Sequence, residues 1–253
     1  MFKPTFLLSL LWALTFFGAG SLPVYADDPL LLGQKALRDQ NFDAALGYFR
    51  RSALKGDPGG QCALGLMYEN GYGIEKDYTK AKLWFDRSAR KGDPGGQNNL
   101  GFLYHSGLGV KRDDATAITW FTKAADQGLA SAQMNLALMA ARGDGMPKEL
   151  NVAFTWFHRA AVQGDEEAQV NLGQMCSLGD GTPKDLVESY KWFLIALKHD
   201  DLDEEKIADL HNDLEWLDKR MTGDQTHEAH KRAEMFKASS EPPEDPSPTP
   251  AKP

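Results

Sequence analysis

The stretch QNNLGFLYHSGLGVKRDDATAITWFTKAADQG, Gln97 to Gly128, decides the fold because the chain repeats it. Aligned on the leading glutamine, units begin at Gln61, Gln97, Gln133 and Gln169, each 36 residues after the last. Trp84, Trp120, Trp156 and Trp192 then fall into one column without a gap, each followed by Phe85, Phe121, Phe157 and Phe193. Leu64, Leu100, Leu136 and Leu172 form another, and glycine pairs recur at Gly71 and Gly73, Gly107 and Gly109, Gly143 and Gly145, Gly179 and Gly181. Self-similarity at a fixed period of this length is the signature of a stacked repeat architecture.

Each unit reads as two helices. Leu64, Met67 and Tyr68 fall at i, i+3 and i+4, on one face of the first helix. The glycine pair ends that helix, because glycine accepts the left-handed conformation of a helix C-terminus. Asp77, Asp113, Glu149 and Asp185 open the second helix, where a carboxylate meets unpaired amides and the positive end of the dipole. Ala81, Trp84, Phe85 and Ser88 then make one stripe, and the Trp-Phe column is expected to be buried core rather than a ligand-stacking platform. Helix pairs of this kind cannot bury their faces alone and stack into a curved solenoid. The duplicated KGDPGGQ at Lys55–Gln61 and Lys91–Gln97 reads as the joint between units, with Asp57 and Asp93 as N-caps and Pro58 and Pro94 at the first helical position.

The organisation follows. Residues 1–26 read as a secretory signal peptide: a cation at Lys3, an apolar run from Phe6 to Phe17, then Val24-Tyr25-Ala26 before Asp27. Residues 27–60 form a tighter, tetratricopeptide-like helix pair, with Tyr48-Phe49 36 residues before Trp84-Phe85 but no Gly-x-Gly loop. Residues 61–200 hold four 36-residue units. Residues 201–238 are capping helices, with Ile207, Leu210, Leu214 and Leu217 on one and a Thr222/Gln225 capping box opening the last, which carries Ala229, Ala233 and Phe236. The Pro-rich stretch 239–253 has no apolar periodicity and reads as a disordered tail.

These units resemble Sel-one-like repeats (SLR), relatives of tetratricopeptide repeats, on the pattern Q-x-x-L-G-x-x-Y-x-x-G-x-G-x-x-x-D-x-x-x-A-x-x-W-F-x-x-A-A-x-x-G carried by Gln97 to Gly128. The resemblance covers about Leu31 to Asp200. Local departures are Ala137 and Ala140 in the third unit and Leu197 and Asp200 in the fourth. It implies an all-α, right-handed α-solenoid of stacked antiparallel helix pairs, and an adaptor role in protein complexes. For an exported bacterial member it implies envelope signalling, assembly or host contact.

The net charge is −8, or −9 once Lys3 leaves with the leader, which disfavours nucleic acid and anionic membrane as partners. Nothing after the leader is apolar for long enough to span a bilayer, so export to the periplasm, or secretion, is the expected location. The expected partner is a protein or an extended peptide segment, bound on the concave surface. Asn99, Asn135 and Asn171 recur two residues after each glutamine and form a ladder on the inner helices, with Glu69, Phe102, His105, Leu138 and Ser177 around it. A primary amide offers donors and an acceptor to a peptide backbone, or equally to a neighbouring helix. Both readings of the ladder stay open at this level.

No cofactor, no metal site and no catalytic constellation are expected. Ser52-Ala-Leu-Lys55 and Ser88-Ala-Arg-Lys91 match S-x-x-K, the serine motif of β-lactam-acting enzymes. A cell-wall or β-lactam hydrolase is therefore the alternative function, since the resemblance extends to cysteine-rich exported relatives given such a role. Both matches occupy one repeat column without S-D-N or K-T-G, which favours a helix-end explanation. His227 and His230 sit at i and i+3 without a third ligand nearby. Cys62 and Cys176 lie three units apart, too far for a disulfide, and are expected to be free thiols with Cys176 buried.

Overall fold

A computed structural model describes residues 28–200 and 202–237; the expected signal peptide at 1–26 and the tail at 239–253 lie outside the described residues. The order is α1 (Pro29–Arg38), α2 (Phe42–Leu54), α3 (Pro58–Asn70), α4 (Tyr78–Ala89), α5 (Pro94–Ser106), α6 (Asp114–Asp126), α7 (Ala130–Arg142), α8 (Leu150–Val162), α9 (Glu166–Leu178), α10 (Leu186–Ala196), α11 (Glu204–Asp218) and α12 (Gly223–Met235). From α1 to α10 each helix packs on its predecessor and successor, and α3 also touches α1 and α5. The odd-numbered helices therefore form the inner row of an all-α solenoid, whose units contact only their neighbours. No helix among the described residues is long and apolar enough to cross a membrane.

The boundaries are set where the sequence sets them. Asp57 and Asp93 accept from the amides of Gly60 and Gly96 at 2.8 and 2.6 Å, with proline at the next position, where the missing N–H has no helical partner to lose. Gly71, Gly107, Gly143 and Gly179 close the inner helices in the left-handed conformation. Asp77, Asp113 and Asp185 cap the outer helices through their side chains, whereas Glu149 occupies the same position without a side-chain bond. The first pair turns through Asp39-Gln40-Asn41, with Gln40 at φ 56° and Asn41 capping α2.

The core is a column of phenyl rings: Phe49, Phe85, Phe121, Phe157 and Phe193 are all at most 2 % exposed. Each ring presses on the inner helix of its own unit where a small residue stands. A Cβ added at Gly65 or Gly173 would lie 2.5 Å from Phe85 or Phe193, and the third unit uses the fully buried Ala137 opposite Phe157. The tryptophans correct the expectation of a uniformly buried Trp-Phe column. Trp156 and Trp192 are buried, but Trp84 and Trp120 are only half-buried. Each carries a cation over its ring, Arg87 at 4.6 Å and Lys123 at 4.1 Å, as Arg159 does for Trp156 at 4.9 Å. A helix surface places i and i+3 together, so the next turn's cation covers the indole face that the core leaves open.

At the C-terminal end α11 and α12 cover α10. Leu210, Leu214, Leu217 and Ala229 join Tyr190, Phe193 and Ala196 in one buried cluster. Thr222 and Gln225 form the expected capping box, and Phe236, one residue past α12, meets the Trp192 ring edge-on at 5.4 Å.

Candidate surface between the inner helices

Two polar ladders tie the units together. Gln61, Gln97, Gln133 and Gln169 are buried, and each donates its side-chain amide to the carbonyl of Ala53, Ala89, Ala125 or Ala161 on the preceding outer helix, at 3.1 to 3.4 Å. The oxygens of Gln97 and Gln133 accept from Gln127 and Gln163 at 2.8 Å, and that of Gln169 lies 3.1 Å from His199 Nε2. In the first unit the equivalent partner is Lys91, which instead donates to the Gly56 carbonyl, and Gln61 Oε1 is left unbonded. The glutamine that opens every repeat is thus a staple between units.

The second ladder crosses the inner row. Asn135 Nδ2 donates to Asn98 Oδ1 at 2.9 Å, Asn98 lies at the limit of bonding to Asn99 at 3.5 Å, and Asn99 Nδ2 reaches Cys62 Sγ at 3.6 Å. The chain runs from α3 through α5 to α7 and stops there, since Met134 and Val170 follow Asn98 in its column. Asn171 bonds back to the Glu167 carbonyl of its own helix. Asn99 and Asn135 therefore hold units together, and the outward amide capacity that remains is theirs only in part.

Beside this ladder, α5 and α7 part around a groove of about 180 Å³ lined by Phe102, His105, Ser106, Arg112, Phe121, Asn135, Leu138, Met139, Arg142 and Asp144. Phe102, Leu138 and Met139 make its apolar floor. Phe102 bridges two core clusters, which fixes the ring from below. On the rim, His105 Nδ1 lies 2.7 Å from Asp114 Oδ1, and Arg112 donates to Asp114 Oδ2 at 2.8 and 3.0 Å. The Arg112 guanidinium, then the His105 bond, hold the Asp114 carboxyl below its usual range against the opposing effect of burial. Arg112 also lies 3.8 Å from Asp144. Arg142 is exposed at the mouth and makes no hydrogen bond or ion pair with a described residue.

One unit earlier, Glu69 occupies the column of His105 in the last turn of α3. It stands two turns beyond Cys62, which faces α5, so the two share a side of the helix. Glu69 is half-buried with no hydrogen bond to a described residue, and burial pushes its carboxyl up to about 7 despite the attraction of Lys76.

Of the surface read from sequence, Phe102, His105, Asn135 and Leu138 converge on the groove. Asn99 turns to α3, Glu69 lies in the preceding crease, and Asn171 and Ser177 sit on α9 bonded to their own helix. Sequence reasoning missed Arg112, Asp114, Arg142 and Asp144, which come from the loops and the helix ends around the groove. The column Lys76, Arg112, Lys148, Lys184, basic in all four units, was the available signal.

The serines of the two S-x-x-K matches are 2 % and 0 % exposed, and their hydroxyls donate to the capping carboxylates of Asp57 and Asp93. Ser88 also bonds the Pro58 carbonyl at 2.8 Å. Such hydroxyls are committed to helix capping and inaccessible to a substrate. Cys62 and Cys176 are both free and buried, and burial raises both thiols, Cys176 to about 12, so neither is a ready nucleophile. His230 packs against the Tyr190 ring at 5.5 Å.

With this geometry in hand, comparison with known proteins is specific about the repeats. The family model for the Sel1 repeat matches residues 30–57, 58–93, 94–129, 130–165 and 166–201, so the N-terminal pair, set apart above as tetratricopeptide-like, is matched as a fifth, shortened repeat. A crystal structure of a Sel1 repeat protein from Oxalobacter formigenes superposes with a TM-score of 0.66 at 24% identity, covering 82% of each chain. A protective antigen of uropathogenic Escherichia coli with an SLR fold gives a TM-score of 0.40 at 24% identity over 82% of this chain, which spans 60% of that structure. No curated protein matches.

Proposed function

Because the chain belongs to the Sel1 repeat family, whose members generally act as protein-protein interaction scaffolds, we propose that it is an exported, non-catalytic scaffold of the periplasm that holds a protein partner along its inner helices and regulates an envelope signalling or assembly complex. The groove between α5 and α7 carries this reading. It combines two partly exposed apolar side chains, Phe102 and Leu138, seated on the buried Met139 and Phe121, with a polar rim, the composition of a site for a segment of another protein. Its walls are helices locked by the glutamine and asparagine ladders, so the surface is preformed and a partner does not pay to order it. The apolar run and Ala26 cleavage signal at the start of the sequence support export. The hydrolase alternative draws nothing from its serines, which are buried in caps.

Site-specific photo-crosslinking in the native envelope tests the reading. A photoreactive residue at Leu138 should capture a discrete partner, and one at the exposed outer-helix position Arg87 should not. Equal capture at both positions, or capture at neither, would remove the concave surface from consideration. Turnover of a β-lactam or a cell-wall fragment by the pure protein, abolished by Ser88→Ala, would revive the hydrolase.

A further inference from the structure

Charge is not spread evenly over the inner row. Its first half presents Glu69, a carboxyl sunk into the α3 surface with no hydrogen bond from a described residue and with Lys76 as its attracting charge. Its middle presents the apolar floor of Phe102 and Leu138. Beyond that floor stands Arg142, a guanidinium at the end of α7 with no described partner, whereas Arg112 beside it is already committed to Asp114 and Asp144. Glu69 and Arg142 lie in the last turns of their helices, at adjacent positions of the repeat, so a line across the helix ends passes from one to the other over His105 and Ser106 of α5. Resting on the scaffold reading above, we infer that this line recognises an extended segment of a partner protein that carries a large apolar residue for the groove, a basic residue on one side for Glu69 and an acidic residue on the other for Arg142.

The spacing follows from the architecture. α3 packs on α5 at about 8 to 10 Å, whereas α5 and α7 part around the groove, so α3 to α7 is at least roughly 16 to 20 Å. An extended chain rises about 3.3 Å per residue, which puts the basic and acidic residues at least about five or six positions apart with the apolar residue between them. Glu69 gains most from such a partner. A carboxyl held up to about 7 by burial regains its charge when a cation arrives, and a hydrogen bond to a charged group contributes more than a neutral one. Residues 239–253 supply Glu241, Glu244, Asp245 and Lys252 but no large apolar side chain, so the chain's own tail does not meet the requirement.

Three synthetic peptides of one length, with leucine at the centre and lysine and glutamate, two glutamates, or two lysines at the flanks, decide the matter by fluorescence anisotropy on the whole protein. The wild type should bind the mixed peptide at least about fivefold tighter than either like-charged one. Glu69→Lys should shift the preference to the two-glutamate peptide and Arg142→Glu to the two-lysine peptide. Leu138→Asp should abolish binding of all three. If either charge variant fails to melt cooperatively, Glu69→Gln and Arg142→Gln take its place and should erase the discrimination at that flank. Binding that needs Leu138 but ignores flanking charge would overturn the inference and leave the scaffold reading standing. Binding of no peptide would also overturn it, and the scaffold reading would then rest on the cross-linking at Leu138 alone.

Discussion

The Ser88 hydroxyl lies 2.9 Å from the Asp93 carboxylate and 2.8 Å from the Pro58 carbonyl, two acceptors that share its one proton, and a Cβ on Gly96 would lie 2.3 Å from it. Ser52, Asp57 and Gly60 repeat the arrangement one unit earlier. At the joints that lead into the third and fourth units the serine is Ala124 or Ala160 and the glycine Ala132 or Ala168, all fully buried. Serine with glycine and alanine with alanine are thus two packings of one contact, and this explains the second glycine of the duplicated heptapeptide. Ser88→Ala should cost about 1 to 2 kcal/mol for the lost bonds, and Gly96→Ala about 1 to 3 kcal/mol for overpacking. The double variant should cost less than the sum by about 1 kcal/mol or more in urea melts, the coupling expected of touching residues. Asp165 shows the consequence of the second packing. It caps α9 opposite Ala160 instead of a serine, and burial lifts its carboxyl to about 6 even with the Ala168 amide and His199 favouring its charge, Glu166 and Glu167 opposing it. A raised carboxyl means that the folded state holds a proton the unfolded chain has released, so stability falls as pH rises from about 4 to 6 and the penalty is fully present above that. Asp165→Asn keeps the cap and removes the titration. Thermal melts should show the variant more stable by about 1 kcal/mol or more at pH 7.5, with the gap closing near pH 4.

Among the elements, the sequence located every helix from α1 to α12 through glycine, proline, aspartate and apolar spacing, because those signals act on the nearest few residues. It assigned the Gly-x-Gly pair to helix termination alone, and only the first glycine does that. The second packs across units: a Cβ on Gly109 would lie 2.6 Å from the Tyr78 backbone and one on Gly181 2.2 Å from the Leu150 carbonyl, each at the start of the preceding outer helix. The recurrent glutamine was likewise visible as a column but silent as to its partner, 30 residues on. Lys91 breaks that ladder and leaves Gln61 Oε1 unbonded. Lys91→Gln should restore the bond that Gln127 and Gln163 make in the next units, raising stability by about 1 kcal/mol in denaturant melts. An unchanged or lower midpoint would show that the Lys91 bond to the Gly56 carbonyl matters more than the orphaned oxygen.

For the whole molecule, stability in a solenoid is close to a sum over units and their interfaces, so loss of a cap is felt first at the nearest unit. Leu217, 1 % exposed, lies in the cluster that α11 and α12 lay over α10. Leu217→Ala should cost about 2 to 4 kcal/mol, and hydrogen exchange should quicken in α9 to α12 while α1 to α4 keep their protection. Uniform acceleration along the chain would mean that the repeats unfold as one unit. The same scale separates what each level of description decided. By itself the sequence determined the period, the helix ends, the phenylalanine core and which helices line the inner row, because these rest on local backbone preferences and on apolar spacing repeated in register. Only the tertiary structure decided that Asn99 and Asn135 bond across units while Asn171 does not, that Trp84 and Trp120 are half-buried at the edge of the core under cations, and that Arg112, Asp114, Arg142 and Asp144 gather around the α5/α7 groove. Those outcomes depend on how far one unit is rotated against the next, and no residue's spacing along its own helix records that rotation.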